Sequence, residues 1–294
     1  MIEGLSRLPA ENAPAKVNLT LRVLRRRDDG YHELESLVAF AGIGDGLSFS
    51  PGGELTLSVR GPSAAQAGDG ADNLVLKAAR ALAARRPGIV LGAFSLDKRL
   101  PVAAGLGGGS ADAGAALRLL AKANGIASDD PQLYAAAGAT GADVPVCLDP
   151  RPRIMRGIGE ILSAPLKLPR LPAVLVNPGV AAPTKAVFAG WTPAASHGIA
   201  ADLDVAAKLS RRGQLLDFLD TQSNDLEAPA VKIAPAVADV LAALRSLPGA
   251  KLARMSGSGA TCFALFATAT EARAAAKKLS AKHSAWWVKA TTLN

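Results

Sequence analysis

Glycine, serine and aspartate crowd into one stretch of the chain: Pro101-Val102-Ala103-Ala104-Gly105-Leu106-Gly107-Gly108-Gly109-Ser110-Ala111-Asp112. Glycines that accept left-handed backbone angles let successive N–H groups converge on an anion, and the missing Cβ lets a phosphate approach. At the start of a helix the same run gains the positive end of the helix dipole. The chemistry that suits this pattern is phosphate binding. A Walker A loop would carry Gly-Lys-Ser/Thr here, whereas the chain has Gly109-Ser110-Ala111. A Rossmann turn would place an acidic residue at the end of a second strand, but that position falls in the turn between Gly125 and Pro131. Asp143, between Gly141-Ala142 and the apolar run Val144 to Leu148, reads either as the cap of the following turn or as a partly buried carboxylate able to take a proton. Lys16 and Asn18 lie side by side on the polar face of a strand; Lys16 reads as a functional cation or as a solvent-facing lysine on a sheet edge. Tyr31 and His32 sit in a turn, where hairpin residues are the plain alternative.

The elements that must hold these groups follow from periodicity. Residues 15–24 alternate, with Val17, Leu19, Leu21 and Val23 on one face and Lys16, Asn18, Thr20 and Arg22 on the other, which predicts a half-buried strand. The polar turn from Arg25 to Gly30 and the apolar run from Leu34 to Ile43 complete a hairpin, with further strands at residues 47–49 and 55–59. Asp72 is placed to cap a helix from Leu74 to about Arg85, and residues 93–98 form a strand leading into the glycine run. A helix over residues 112–122 follows, capped by Ser110 and ended by Gly125. Another helix covers residues 132–137, and Gly157-Ile158-Gly159-Glu160 turns into a strand. The Pro-punctuated stretch from Leu166 to Pro172 is the candidate domain boundary. Beyond it come a strand at 173–176, a short helix opened by Pro183-Thr184-Lys185, a loop at 190–201, and helical patterns at 202–210, 213–219 and 235–247. The chain then reads strand (251–255), the loop Ser256-Gly257-Ser258-Gly259-Ala260, strand (261–267), a helix opened by the capping box Thr268-x-x-Glu271, and strand (286–290). That order predicts a split-βαβ, ferredoxin-like arrangement. The second glycine loop either turns a hairpin or faces the first as another diphosphate nest, and Arg254 beside it reads as structural or peripheral.

Bulk properties narrow the field. The 294 residues suffice for about two domains. With 49% hydrophobic and 20% charged residues the composition is that of a globular protein, and aromatics at 4% leave Ala, Leu and Val to build the core. No run approaches the length of a membrane span. The start, Met1-Ile2-Glu3-Gly4-Leu5-Ser6-Arg7, lacks a signal-peptide pattern, and Cys147 and Cys262, too few for a disulfide framework, make a reducing cytoplasm the expected setting. Two cysteines make no disulfide framework, and with three histidines they make a zinc cluster improbable. The net charge of +8 allows an anionic small substrate or a nucleic acid. It is dispersed, however, and few aromatics are available to stack single strands.

Three blocks together, Pro14-Ala15-Lys16-Val17-Asn18-Leu19, Pro101 to Asp112, and Arg254 to Ala260, resemble the three motifs of the GHMP kinases in order and spacing. Asp29-Gly30-Tyr31-His32, Asp97-Lys98-Arg99-Leu100-Pro101, the Asp143 block and Gly157 to Glu160 narrow the resemblance. They point to the branch acting on a cytidine-diphosphate-bearing methylerythritol in the non-mevalonate (MEP) route to isoprenoid precursors. The resemblance covers nearly the whole chain. It implies an α+β, two-domain fold: an ATP-binding domain over residues 1–165, like the second domain of ribosomal protein S5, and a ferredoxin-like, substrate-side domain over 166–294. It also implies that ATP and substrate meet in the cleft between domains. By the same analogy Pro101, Val102, Ala103, Ala104, Gly105, Leu106, Gly107, Gly108, Gly109, Ser110 and Ala111 wrap the ATP phosphates, with Asn73 and Lys98 near the nucleotide. Lys16 and Asp143 are the implied catalytic pair, and Asn18, Tyr31, His32 and Thr184 the implied substrate contacts. Mg2+ is expected with ATP, and Ser110 is the one protein ligand suggested for it. The expected partner is the small cytidine diphosphate substrate, with no nucleic acid and no membrane, and the chain is expected to be a monomer or weak homodimer. Homoserine or mevalonate as the acceptor, a basic RNA-binding module, and an inactive nucleotide sensor are the competing readings. Gly30-Tyr31-His32 and the Asp97 to Pro101 block argue against the first, Asp143 and both glycine loops against the second, and Lys16 with Asp143 against the third.

Overall fold

A computed structural model describes residues 8–193 and 202–294. The seven N-terminal residues, and the 194–201 part of the expected loop at 190–201, lie outside the described residues. In chain order the strands are β1 (Ala10–Asn18), β2 (Arg22–Arg26), β3 (His32–Pro51), β4 (Thr56–Arg60), β5 (Gly92–Asp97), β6 (Arg153–Gly157), β7 (Ile161–Leu162), β8 (Leu171–Asn177), β9 (Ala250–Met255), β10 (Cys262–Phe266) and β11 (Trp287–Leu293). The α-helices are α1 (Ala64–Ala67), α2 (Leu74–Arg85), α3 (Gly108–Ala123), α4 (Pro131–Thr140), α5 (Val144–Leu148), α6 (Thr184–Ala189), α7 (Arg212–Asp220), α8 (Glu227–Ile233), α9 (Ala236–Arg245) and α10 (Ala269–Lys282), with a 3-10 turn at Leu203–Lys208.

The chain divides into two compact units, both discontinuous in sequence. The first holds residues 1–14, 44–102 and 108–149; the second holds 15–43, 103–107 and 150–294. The cut expected at 165/166 falls inside the long continuous stretch of the second unit.

In the first unit β5 pairs in parallel with β4 and antiparallel with the end of β3, from Gly46↔Asp97 to Pro51↔Gly92. Phe49 and Phe94 meet across that pairing with ring centroids 4.7 Å apart. Helix α2 packs on α3 and α4, and α3 on α5. The contact is close because α3 is rich in small residues: Ala111, Ala113, Ala115 and Ala116 are buried beside Leu117 and Leu120. Asp130 caps α4 by accepting the Gln132 N–H. Helix α2 is capped by Asn73, not by Asp72: the Asn73 side chain accepts the Val75 N–H, and Asp72 pairs with Lys77 at 2.9 Å.

In the second unit the order β8, α9, β9, β10, α10, β11 gives the antiparallel sheet β11-β8-β10-β9. This is the ferredoxin-like arrangement expected from the sequence. Its core joins Val174, Val176, Cys262, Ala264 and Phe266 of the sheet to Val237, Leu241, Leu244 and Leu279 of α9 and α10. Thr268 and Glu271 form the anticipated capping box at α10. The first half of β3 pairs with β2, as Arg26↔His32, and with β6, as Leu34↔Gly157.

Three local expectations are corrected. The strand predicted over 15–24 is broken at residues 19–21 into β1 and β2, and its polar face is covered: Lys16, Asn18 and Thr20 are all buried. The strands predicted at 34–43 and 47–49 are one strand, β3. Helix α3 starts at Gly108, a turn before the predicted 112, so Ser110 lies inside the first turn and is not the cap.

Candidate active site

Within the second unit the glycine loop and Lys16 form one piece. Ala103, Gly105 and Gly107 have φ of +52°, +74° and +60°, the left-handed turns that point neighbouring amides the same way. The Lys16 N–H donates to the Leu106 carbonyl at 2.8 Å, and a Cβ on Gly107 would lie 3.2 Å from the Cβ of Lys16. Glycine is therefore needed at 107 for room as well as for angle. Lys16 is only 4% exposed, so it is not a solvent-facing lysine on an edge strand.

The second glycine loop braces the first. The Ser256 hydroxyl accepts the Asn18 N–H at 3.1 Å and donates to the Gly105 carbonyl at 2.9 Å, while the Thr261 N–H donates to Ala104. A Cβ on Gly105 would strike the backbone of Ser256 and Gly259, so the two loops touch backbone to backbone there. Ser256 to Gly259 is thus a support for the first loop at that point. Asn224 holds this support by donating to the carbonyls of Met255 and Gly257 at 2.8 Å each. Arg254 is structural: 6% exposed, it donates to the carbonyls of Leu19, Leu219 and Gln222. Burial lowers its pKa to about 10 against the raising charges of Glu227 and Asp220.

Asn18 is buried, donates to the Ser36 hydroxyl at 2.7 Å, and turns its Oδ1 toward Gly257. Thr184, at the start of α6, shares a hydrogen bond of 2.8 Å with Ser258. An aromatic group forms beside the β2–β3 turn: His32 lies 5.1 Å from Phe188 and 5.7 Å from Trp191, ring centre to ring centre. Tyr31, 59% exposed, is next to it in sequence. Burial and the Arg26 charge lower the His32 pKa, favouring a neutral imidazole that can both donate and accept. Phe188 and Trp191 escaped the sequence reading. Their only signal was that two of the chain's few aromatics follow Thr184 closely.

Within the first unit α3 begins at Gly108, directly after the glycine loop in sequence. The first N–H groups of this sixteen-residue helix have no intrahelical acceptor and sit at its positive end. Lys98 is buried beneath it and bonds the carboxylates of Asp45 and Asp112 at 2.6 Å each. Desolvation pulls the Lys98 pKa down, but the charges of Asp112 and Asp45 outweigh it and hold it up. Burial pushes Asp112 up to about 7, with Lys98 opposing and Asp45 reinforcing. Asn73 uses both ends of its amide, one to cap α2 and one to donate to Gly68 at 2.8 Å. Asp143 stands at the N-terminal boundary of α5, and its side chain makes no capping hydrogen bond, which removes the capping explanation for it.

Among the described residues no three His, Cys, Asp or Glu side chains gather as a metal site. Ser110 offers one hydroxyl in the first turn of α3. That is a fit for Mg2+, a hard cation that keeps most of its shell as phosphate oxygens and water at nucleotide sites. No helix among the described residues is long and apolar enough to cross a membrane.

Comparisons with known proteins show the family. The family model described as GHMP kinases N terminal domain matches residues 73–149, and the one described as GHMP kinases C terminal matches residues 200–285. The 4-diphosphocytidyl-2-C-methyl-D-erythritol kinase of Rhodopseudomonas palustris is 56% identical over 300 aligned residues that cover all of both chains. The protein of that name from Methylobacterium radiotolerans is 57% identical over 97% of this chain and 99% of its own. A crystal structure of 4-(cytidine 5'-diphospho)-2C-methyl-D-erythritol kinase superimposes with a TM-score of 0.76 at 36% identity, covering 97% of this chain and 99% of the other.

Proposed function

The chain belongs to the GHMP kinase family, and from that premise we infer that it is an ATP-dependent phosphotransferase with an alcohol as acceptor. Its substrate is 4-diphosphocytidyl-2-C-methyl-D-erythritol, and the group phosphorylated is the hydroxyl at C2, in the MEP route. The observation that carries the reading is the 56% identity, end to end, with a kinase of that substrate. The loop geometry supports where the phosphates go.

Phosphoryl transfer asks a protein mainly for alignment and for neutralised charge. In this reading the amides of residues 103–111 hold the triphosphate, with Pro101 and Val102 leading into the loop and Asn73 and Lys98 close to the nucleotide. Asp143 accepts the proton of the C2 hydroxyl as that oxygen attacks the γ-phosphorus. Lys16, fastened to the loop through its own backbone N–H, stabilises the charge that develops on the transferred group. Ser110 would be the protein ligand of Mg2+, which would supply neutralisation of phosphate charge. His32 and Tyr31 hold the cytosine with Phe188, and Asn18 and Thr184 help shape the rest of the substrate site. The family-model matches lie on either side of residue 165, and we keep 1–165 and 166–294 as the functional division. The protein acts in the cytoplasm as a monomer or weak homodimer, with neither nucleic acid nor membrane as partner.

The test is ADP release by the purified chain with the cytidylated methylerythritol, homoserine or mevalonate as acceptor. Turnover is expected with the first alone, and phosphorus NMR of the product should show the new phosphate on C2. Preferential turnover of homoserine or mevalonate would refute the reading.

A further inference from the structure

Asp45 lies on β3, far in sequence from the phosphate loop, and is wholly buried at 0% exposure. One of its carboxylate oxygens accepts the N–H of Arg99 at 2.6 Å and of Leu100 at 2.8 Å, the two residues before Pro101. The other accepts the Lys98 ammonium at 2.6 Å. Lys98 in turn reaches the Asp112 carboxylate at 2.6 Å, in α3 just past the loop. A Cβ on Gly108 would stand 3.2 Å from the Lys98 nitrogen and 3.7 Å from the second Asp45 oxygen, so the group sits directly under the first residue of α3. One carboxylate thus holds the chain where it enters the loop and, through one lysine, where it leaves. Burying two carboxylates with a single cation is costly as a purely structural device, since one remains only partly compensated. The second Asp112 oxygen is buried with no hydrogen-bond partner.

We propose that Asp45 is a positioning residue for ATP: with Lys98 it fixes the spacing between the two ends of the phosphate loop. This rests on the kinase reading above. Asp45 touches no substrate; it acts through Lys98 and the amides of Arg99 and Leu100. A residue of this kind affects the nucleotide and leaves the acceptor alone. An ordinary core polar group would lower stability without distinguishing the two substrates.

The experiment is Asp45→Asn in the full chain, which keeps the shape and an amide acceptor but removes the charge that holds Lys98. Thermal unfolding establishes that the variant is folded. Calorimetric titration with ATP alone and steady-state kinetics with each substrate varied then follow. The expected result is an ATP Kd and KM raised roughly tenfold or more, the loss of one charged hydrogen bond, with the KM for the acceptor unchanged. Unchanged ATP binding, or an equal rise in both KM values, overturns the proposal. If Asp45→Asn does not fold, hydrogen exchange on the wild-type protein decides. Coupling is reciprocal, so ATP should slow exchange at the amides of Arg99 and Leu100, and rates indifferent to ATP overturn it. If the wild-type chain binds ATP but does not turn over the cytidylated acceptor, the substrate assignment fails and the Asp45 result still stands by itself.

Discussion

Gly105→Ala tests whether the shape of the phosphate loop, rather than its composition, makes the site. Two costs can be read from the structure. Gly105 has φ +74°, and a left-handed backbone costs a residue with a side chain about 1–2 kcal/mol. The new Cβ would also stand 2.9 Å from both the nitrogen and the oxygen of Gly259, and closer still to the Ser256 carbonyl. These are backbone atoms that cannot rotate away, and crowding of this sort costs roughly 1–3 kcal/mol. Together the loss is about 2–5 kcal/mol. Gly125→Ala is the control: its φ is +63°, with nothing within 4 Å of an added Cβ, so it carries only the first cost. Urea titration of both variants isolates the crowding as their difference. Relief of the clash moves the loop by up to about 1 Å, enough to lower kcat/KM for ATP by on the order of 100-fold. Equal destabilisation by the two alanines, or Gly105→Ala within about threefold of wild type in kcat/KM, would refute the reasoning.

Three further outcomes follow from the same geometry. Asp143→Asn should lower kcat by roughly 10²–10⁴-fold with calorimetric ATP affinity unchanged, and near-normal kcat would remove Asp143 as the base. Phe188→Ala should raise the KM of the cytidylated substrate by roughly tenfold, the worth of about 1–3 kcal/mol of base stacking, and leave the KM of ATP alone; equal effects on both would sink the stacking role. The Asp112 pKa is raised to about 7 from 3.8, so between those values the folded chain keeps a proton that the unfolded chain has lost. Stability therefore falls as pH rises through that window, and Asp112→Asn should gain on wild type between pH 4 and pH 8 in paired urea titrations. A difference independent of pH would contradict the burial of an ionisable Asp112.

What the residues revealed in advance was mostly local. The capping box at Thr268 and Glu271 satisfies its own amides, so it needs no tertiary information. The βαββαβ order of the C-terminal part was legible because each strand has its own apolar run. The start of α3 was not: Gly108 and Gly109 are poor helix formers, and no local pattern shows that the helix begins with them. The unity of β3 was hidden by Gly44-Asp45-Gly46, which separates the two apolar runs. At Gly44 the glycine serves close packing: a Cβ would lie 2.7 Å from the Cα of Pro14. Alternation gave Lys16 a polar face but could not show that residues 103–107 cover it. The grouping of His32 with Phe188 and Trp191, and of Asp45 with Lys98, joins residues far apart in the chain, which no local pattern reports.

The path of the backbone bears on how this protein can be inherited. The chain changes unit at 14/15, 43/44, 102/103, 107/108 and 149/150, so both units are assembled from separated stretches. A gene fragment beginning at codon 150 would encode β6 with β7 but without β3, the longer of the strands it pairs with, and would lack the Asn18 and Gly105 partners of Ser256. A single crossover anywhere in the coding sequence therefore leaves at least one unit built from two parents, whose side chains must pack against each other.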